Sequence, residues 1–368
     1  MVSSETLGVV LSVYGMLSWG SWGVFFKAAT AKGIRVEVFF VSFSLGCVVF
    51  AVAGALLAKE ALLPLEDIAA LFYAAAAGSL SSIASILLCA SMKVNGLALA
   101  FPAVVGTEMI LGTVLLYLRA EKGDEDPYLL FGGVAAAALA VFFNVLAAAW
   151  HKHAPSRLRR ASSIGASLFS AESGDVDDLL SENLIVDAGA QISPNARLRL
   201  TCAAFAALSG IIFSTWPLLA QIDLSGPQPR LSPYTFFFCL SGGFLFATVL
   251  VLSLSLFFPT TPLLAGHISG VGLQRSHISS PSLAQHALGI VGGIVWASGT
   301  LSSLVAANSV SLVTSMTIAR CAPMVAAGIG VFFYREMSGS GFKAKFACSC
   351  MFLFYITAIS FVAAAKRR

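Results

Sequence analysis

Phe101 to Leu118 reads FPAVVGTEMILGTVLLYL, an apolar run of 18 residues with a single carboxylate, Glu108, near its middle. At 1.5 Å per residue a helix of about 20 residues crosses a hydrocarbon core of about 30 Å. The run has no period-two alternation, so it reads as a helix apolar on every side and not as a barrel strand. Runs of the same kind recur at Leu7–Ala29, Val36–Ala58, Ile68–Ser91, Leu97–Leu118, Tyr128–Trp150, Leu198–Gln221, Tyr234–Phe258, Gln285–Ala307, Val310–Tyr334 and Phe342–Ala365. The fold expected is therefore all-α: a polytopic membrane protein with ten transmembrane helices.

Composition agrees. Of 368 residues 58% are hydrophobic and 11% charged, and the mean hydropathy is +0.87. A soluble domain is about a quarter charged. This chain cannot hide its apolar surface in one water-soluble globule, so a lipid bilayer is its expected partner. The net charge of +4 is small. No long basic face is interleaved with aromatics, which excludes a nucleic-acid partner. The seven cysteines lie in or beside apolar segments and read as small core hydrophobes, not as a disulfide framework. His151-Lys152-His153 is the sole spacing that suggests a metal, and solvated loop histidines are its simpler reading. No basic region precedes the first apolar run, so a retained helix is expected there and not a cleaved signal peptide.

A polar gap, SRLRRASSIG followed by SGDVDDLLSE and QISPNAR, divides the ten segments five and five. The expected organisation is a first five-helix half over residues 1–150, a flexible polar loop over 151–197 and a second half over 198–368. A shorter gap from Pro259 to Leu283 reads as loop. The halves echo one another. Ser21-Trp22-Gly23 matches Thr215-Trp216-Pro217. Asn95-Gly-Leu-Ala-Leu matches Asn308-Ser-Val-Ser-Leu, and Leu118-Arg119-Ala-Glu121 matches Tyr334-Arg335-Glu336. Five crossings per half make the second half enter from the opposite face, the inverted repeat typical of secondary transporters. Basic residues outside the segments number thirteen on the side of the central loop and seven on the other, so that loop is expected in the cytoplasm.

The polar residues inside the apolar runs are the candidates for function. A charged acid at a helix centre costs about 2.5–3.5 kcal/mol on insertion scales, so Glu108 is expected to face the bundle interior or a wet cavity. It reads as a proton carrier or as a structural acid locking two helices. Arg320 occupies the middle of the ninth segment, near the position equivalent to Glu108. A guanidinium stays protonated and needs a carboxylate, carbonyls or solute oxygens. A Glu108–Arg320 pair across the two-fold axis is the simplest arrangement, and Thr317, one turn earlier, is placed to bond either charge. Lys27 shares a face with Gly20 and Gly23; it reads as a snorkelling interface lysine or a solute contact. Gln221 lies as far past Trp216 as Lys27 lies past Trp22. Trp19, Trp22, Trp216 and Trp296 sit inside segments, where they stack on a planar solute or pack the core, and Trp150 fits an interface belt. Pro102, Pro217 and Pro323 each remove a backbone donor and are expected to interrupt segments four, six and nine as hinges. Asn144, Ser302 and Ser303 read as packing glue. In the central gap, Arg159-Arg160-Ala161-Ser162 suits a basophilic kinase, and Asp175-Val-Asp-Asp-Leu179-Leu180 has acidic-dileucine spacing. No phosphate loop of the Gly-x-x-x-x-Gly-Lys type is present, and no acid pair, His cluster or Ser-His set for hydrolysis. An enzyme is not expected, and no cofactor or metal.

Ten segments in two halves resemble the drug/metabolite transporter superfamily over nearly the whole length. The closest likeness is to the ureide permeases, with the glucose/ribose uptake permeases nearby. Ser214-Thr215-Trp216-Pro217 resembles their Gly-Thr-Trp-Pro, which in that family lies in the first half. Asn95-Gly-Leu-Ala-Leu-Ala-Phe101 followed by Thr107-Glu108 is similar to their fourth helix, and Phe333-Tyr334-Arg335-Glu336 to the close of their ninth. Their long central loop carries a phosphate-loop-like segment that is missing from this one. The resemblance implies proton-coupled uptake of small polar solutes such as ureides and oxo-pyrimidines, in the plasma membrane or an endomembrane, with a dimer left open. Exchange of sugars, nucleotide-sugars or other metabolites across an internal membrane is the alternative within that class. A receptor or scaffold that transports nothing is the alternative outside it.

Overall fold

A computed structural model describes residues 3–63, 67–95, 97–120, 125–152, 194–225, 229–257, 281–335, 337 and 339–365. The chain forms α1 (Ser4–Ala31), α2 (Val36–Ala58), α3 (Ile68–Asn95), α4 (Leu97–Arg119), α5 (Pro127–Lys152), α6 (Pro194–Leu224), α7 (Pro233–Phe257), α8 (Leu283–Val310), α9 (Leu312–Ala319), α10 (Ala322–Gly328), a π-turn (Ile329–Phe333) and α11 (Phe342–Ala364). Among the described residues, nine helical stretches are long and apolar enough to cross a membrane, one of them the composite from Leu312 to Phe333. The 23 residues of α4 pack among them. The protein is an all-α, multi-pass integral membrane protein.

The ends of the helices follow ordinary capping chemistry. Ser3 accepts from the Thr6 amide at the start of α1. Ser282 and Gln285 form a capping box at the start of α8. Gly33, at φ 86°, turns the chain between α1 and α2, a conformation a residue without Cβ adopts freely.

Packing is unchanged when each helix is exchanged for its counterpart five further along, with α9 and α10 counted together. Helix α1 packs on α8 as α6 packs on α3; α2 packs on α8 as α7 packs on α3; α4 packs on α6 as α9 and α10 pack on α1. The pairs α2–α7 and α5–α11 exchange with themselves. The closest contacts obey the same rule. In α2 and α8, a Cβ on Gly46 would overlap the Ile290 carbonyl oxygen, and one on Gly293 would overlap that of Phe43. In α7 and α3, a Cβ on Gly243 would overlap the Ala75 oxygen, and one on Gly78 that of Leu240. Each crossing therefore joins two segments of the form residue-x-x-Gly, and the glycines let the backbones touch.

Hydroxyls and one indole tie α1 to α8. Ser302 Oγ donates to the Leu11 carbonyl at 2.8 Å, Tyr14 to Ser298 Oγ at 3.0 Å and the Trp19 indole to Thr300 Oγ1 at 3.0 Å.

Several sequence expectations need correction. The ninth segment is not one helix from Val310: Val310 and Asn308 belong to α8, and the segment breaks at Arg320–Cys321 before ending in a π-turn. Pro102 and Pro217 interrupt nothing, since α4 and α6 run through them; the side chain of Pro102 lies outside the described residues. Helix α6 starts at Pro194, inside the span read as linker. The Ser162 and Asp175–Leu180 patterns and His153, His267 and His277 lie outside the described residues. His151 and His286 sit on helices and bond Ser340 and Ser42. The described cysteine side chains are free thiols.

Candidate solute chamber

Glu108 comes from the middle of α4 and Arg320 from the break between α9 and α10. Pro323, in the first turn of α10, offers no N–H to the carbonyl four residues earlier, Ala319, and in a first turn that missing donor is tolerated. Arg320 ends α9, its amide bonded to Met316 O, and the Cys321 amide turns back to Ile318 O. The break aims the guanidinium at α4. Its Nε donates to Glu108 Oε1 at 3.2 Å, and both residues are buried, at 1% and 6% exposure. Nη1 and Nη2 of Arg320 have no hydrogen-bond partner among the described residues. Gly112, one turn beyond Glu108 on α4, makes room for them: a Cβ there would lie 2.7 Å from Nη2. Thr317 bonds neither charge. Its hydroxyl meets Thr113 at 3.0 Å and donates to the Val313 carbonyl at 2.7 Å, which ties α9 to α4 just below the pair.

Beside the pair lies a cavity of about 40 Å³. Glu108 and Ser85 supply its polar wall. Trp19, Trp22, Trp216 and Trp296 supply its aromatic wall with Phe43, Phe101 and Phe213. These residues come from α1, α2, α3, α4, α6, α8 and α10, so both halves build the chamber. The rings interlock: Trp22 meets Phe43 edge-on at 5.4 Å, and Phe244 lies 5.5 Å from Trp296. The chain has five tryptophans. Four line this one space, and Trp150 lies apart near the end of α5.

Lys27 lies outside the chamber. It lines a second cavity, of about 20 Å³, with Gly20, Gly23, Ile329, Gly330 and Tyr334, and its ammonium sits 4.4 Å from the centre of the Tyr334 ring. Phe101 lines both cavities.

Away from the chamber, one charged cluster had no sequence signal beyond isolated letters at helix ends. Arg230, in the α6–α7 loop, forks onto Asp67 with bonds of 2.7 and 2.6 Å and reaches the buried Asp223 at 3.3 Å. Asp67 also caps α3, accepting from the Ala70 amide at 3.0 Å. The Arg230 hydrogen bond, and after it the Ala70 amide, hold the Asp67 carboxyl below its usual range. The counterpart contact in the other half is neutral: Gln285, at the start of α8, donates from its side-chain amide to the Lys32 carbonyl of the α1–α2 loop at 2.5 Å.

No protein-family model and no curated protein matches the chain. Seven chains of solved structures match. One, a crystal structure of a protein, aligns over 95% of this chain and 96% of its own, at 14% identity and a TM-score of 0.53. That likeness is one of fold.

Proposed function

We propose that the protein is a secondary transporter of small polar solutes, working by alternating access with a proton as the coupling ion. The observation that carries this reading is the buried Glu108–Arg320 pair at a helix break, beside an aromatic chamber to which both halves contribute. Discontinuous helices beside a central cavity are the usual site architecture of such carriers. A cavity of about 40 Å³ holds little more than one water, whose share of the liquid is about 30 Å³. A planar ring is larger than that space, so in this reading a solute enters when the halves part.

In this reading Glu108 takes up a proton and releases Arg320. The guanidinium then offers paired N–H donors to a solute carbonyl, while the indoles stack on a planar ring. Ureides and oxo-pyrimidines present both features. Glu108, Arg320, Trp22 and Trp216 carry the chemistry, and Thr317 positions α9 against α4. The protein is not an enzyme in this account and needs no cofactor.

The test is uptake by proteoliposomes of labelled allantoin, uracil and glucose, with and without an imposed proton gradient. Accumulation driven by the gradient, lost in Glu108→Gln while exchange of preloaded solute survives, is the expected result. Uptake indifferent to the gradient but accelerated by internal solute makes the protein an exchanger. A chain that moves none of the three under either condition is no carrier of this class.

A further inference from the structure

Helix α3 carries several hydroxyls, and Ser85 is used differently from its neighbours. Ser79 Oγ donates to the Gly243 carbonyl of α7 at 3.1 Å, and Ser82 Oγ meets Thr248 Oγ1, also on α7, at 2.8 Å. Those two act as glue between helices. Ser85, a turn further on, bonds no other helix among the described residues. Its hydroxyl donates to the Ser81 carbonyl at 2.7 Å, inside its own helix, and the residue lines the chamber. A hydroxyl has one hydrogen to donate and lone pairs to accept with. With the hydrogen committed to Ser81, Ser85 has an acceptor left to offer. The other half shows what such an acceptor takes. Gly78 of α3 and Gly293 of α8 occupy equivalent places in their crossings, so Ser85, seven residues past Gly78, corresponds to Thr300, seven past Gly293. Thr300 makes the same bond within its helix, to the Trp296 carbonyl at 3.0 Å. Its oxygen then accepts the indole N–H of Trp19 at 3.0 Å. Among the described residues no N–H fills the corresponding place on Ser85. One half satisfies the hydroxyl with a ring N–H of the protein; the other presents it to a chamber walled by aromatic rings.

We propose that Ser85 is a specificity-determining residue of the chamber: its oxygen accepts an N–H from a flat solute ring, as Thr300 accepts one from the Trp19 indole. This role rests on the transport reading and narrows its solute class to planar rings with an N–H at the edge, the lactam, imide and ureide groups. Such an edge carries a carbonyl beside its N–H. Arg320 meets the carbonyl and Ser85 the N–H, so a donor and an acceptor read the two ends of one amide. A methyl group on the ring nitrogen removes the donor and leaves Ser85 nothing to accept.

The test is binding of uracil and xanthine, and of their fully N-methylated forms 1,3-dimethyluracil and caffeine, to the full-length protein in nanodiscs. Shielding of the indoles from acrylamide reports occupancy, because four of the five tryptophans line the chamber. Loss of one hydrogen bond that leaves a buried donor unmet lowers affinity about tenfold. Uracil and xanthine are expected to bind the wild type at least that much more tightly than the methylated rings. In Ser85→Ala their affinity should fall about tenfold, with the methylated rings unmoved. Ser85→Thr keeps the hydroxyl, as at Thr300, and should keep the affinity. Ser85→Ala should melt with the wild type, since the hydroxyl ties no two described helices together. Equal binding of methylated and unmethylated rings by the wild type overturns the role of Ser85. So does an unchanged affinity for uracil and xanthine in Ser85→Ala, or an equal fall for all four rings. Binding of neither uracil nor xanthine overturns it too, and gradient-driven uptake of glucose would then leave the transport reading standing. The expected binding pattern with no gradient-driven uptake of any solute would keep Ser85 as the acceptor and remove the transport reading instead.

Discussion

At the scale of residues, the chain holds a carboxylate and a guanidinium where neither is cheap, and Gly112 is the third member of that group. The pair satisfies Nε of Arg320 and leaves two nitrogens to be met by something else. Removing one partner of a buried ion pair costs about 3–5 kcal/mol, because the other charge is left without compensation. Arg320→Gln and Glu108→Gln should each lower the melting temperature in detergent, and the double variant should recover part of the loss. Gly112→Ala leaves both charges in place but pushes a methyl group against Nη2. It should reproduce the transport defect of Arg320→Gln with less loss of stability. A Gly112→Ala protein with wild-type uptake would show that the guanidinium need not stay where it lies. Glu108 and Arg320 stand out in the sequence because charge inside an apolar run is rare. Gly112 does not, since glycine is common in membrane helices and nothing local marks the one that faces an arginine.

At the scale of elements, the composite ninth span decides where the chemistry sits. Pro323 predicts a disturbance in the sequence, but Pro102 and Pro217 predict the same and produce no break. At the break, Arg320 finds a partner on α4, and at the other end of α9 Ser311 caps the start by accepting from the Thr314 amide. The start of α3 is fixed by a charged clasp, and this gives a pH dependence. The Asp67 carboxyl is held below its usual range, so its contribution is complete above the ordinary carboxylate value of about 4 and is lost as the pH falls through the lowered one. Melting of the wild type should decline below about pH 4 more steeply than that of Asp67→Asn, which starts lower and has no such proton to take up. Parallel curves for the two proteins would mean that the clasp with Arg230 adds nothing to stability.

At the scale of the whole molecule, many helix pairs join the halves, and two equivalent crossings among them, α2 on α8 and α7 on α3, bring glycines against backbone oxygens. A methyl group at either glycine of a crossing meets a carbonyl oxygen that cannot rotate away. Gly78→Ala and Gly293→Ala should therefore each destabilise the fold strongly, by overpacking of about 1–3 kcal/mol or more. Gly23→Ala, with open space around it, should be neutral in the same melting assay. If Gly78→Ala melts like the wild type, the crossings are looser than described and the halves are not tightly joined there. The membrane class, the helices and the two odd charges were legible in the sequence, because hydrophobic length and the cost of charge in lipid act locally along the chain. Which small residues touch, which proline stands at a helix break, and that four tryptophans from distant segments share one chamber with Glu108 depended on how the helices pack. Contacts between helices join positions hundreds of residues apart, such as Trp19 with Thr300 and Glu108 with Arg320, and in lipid every apolar face is equally content until close backbone approach selects one.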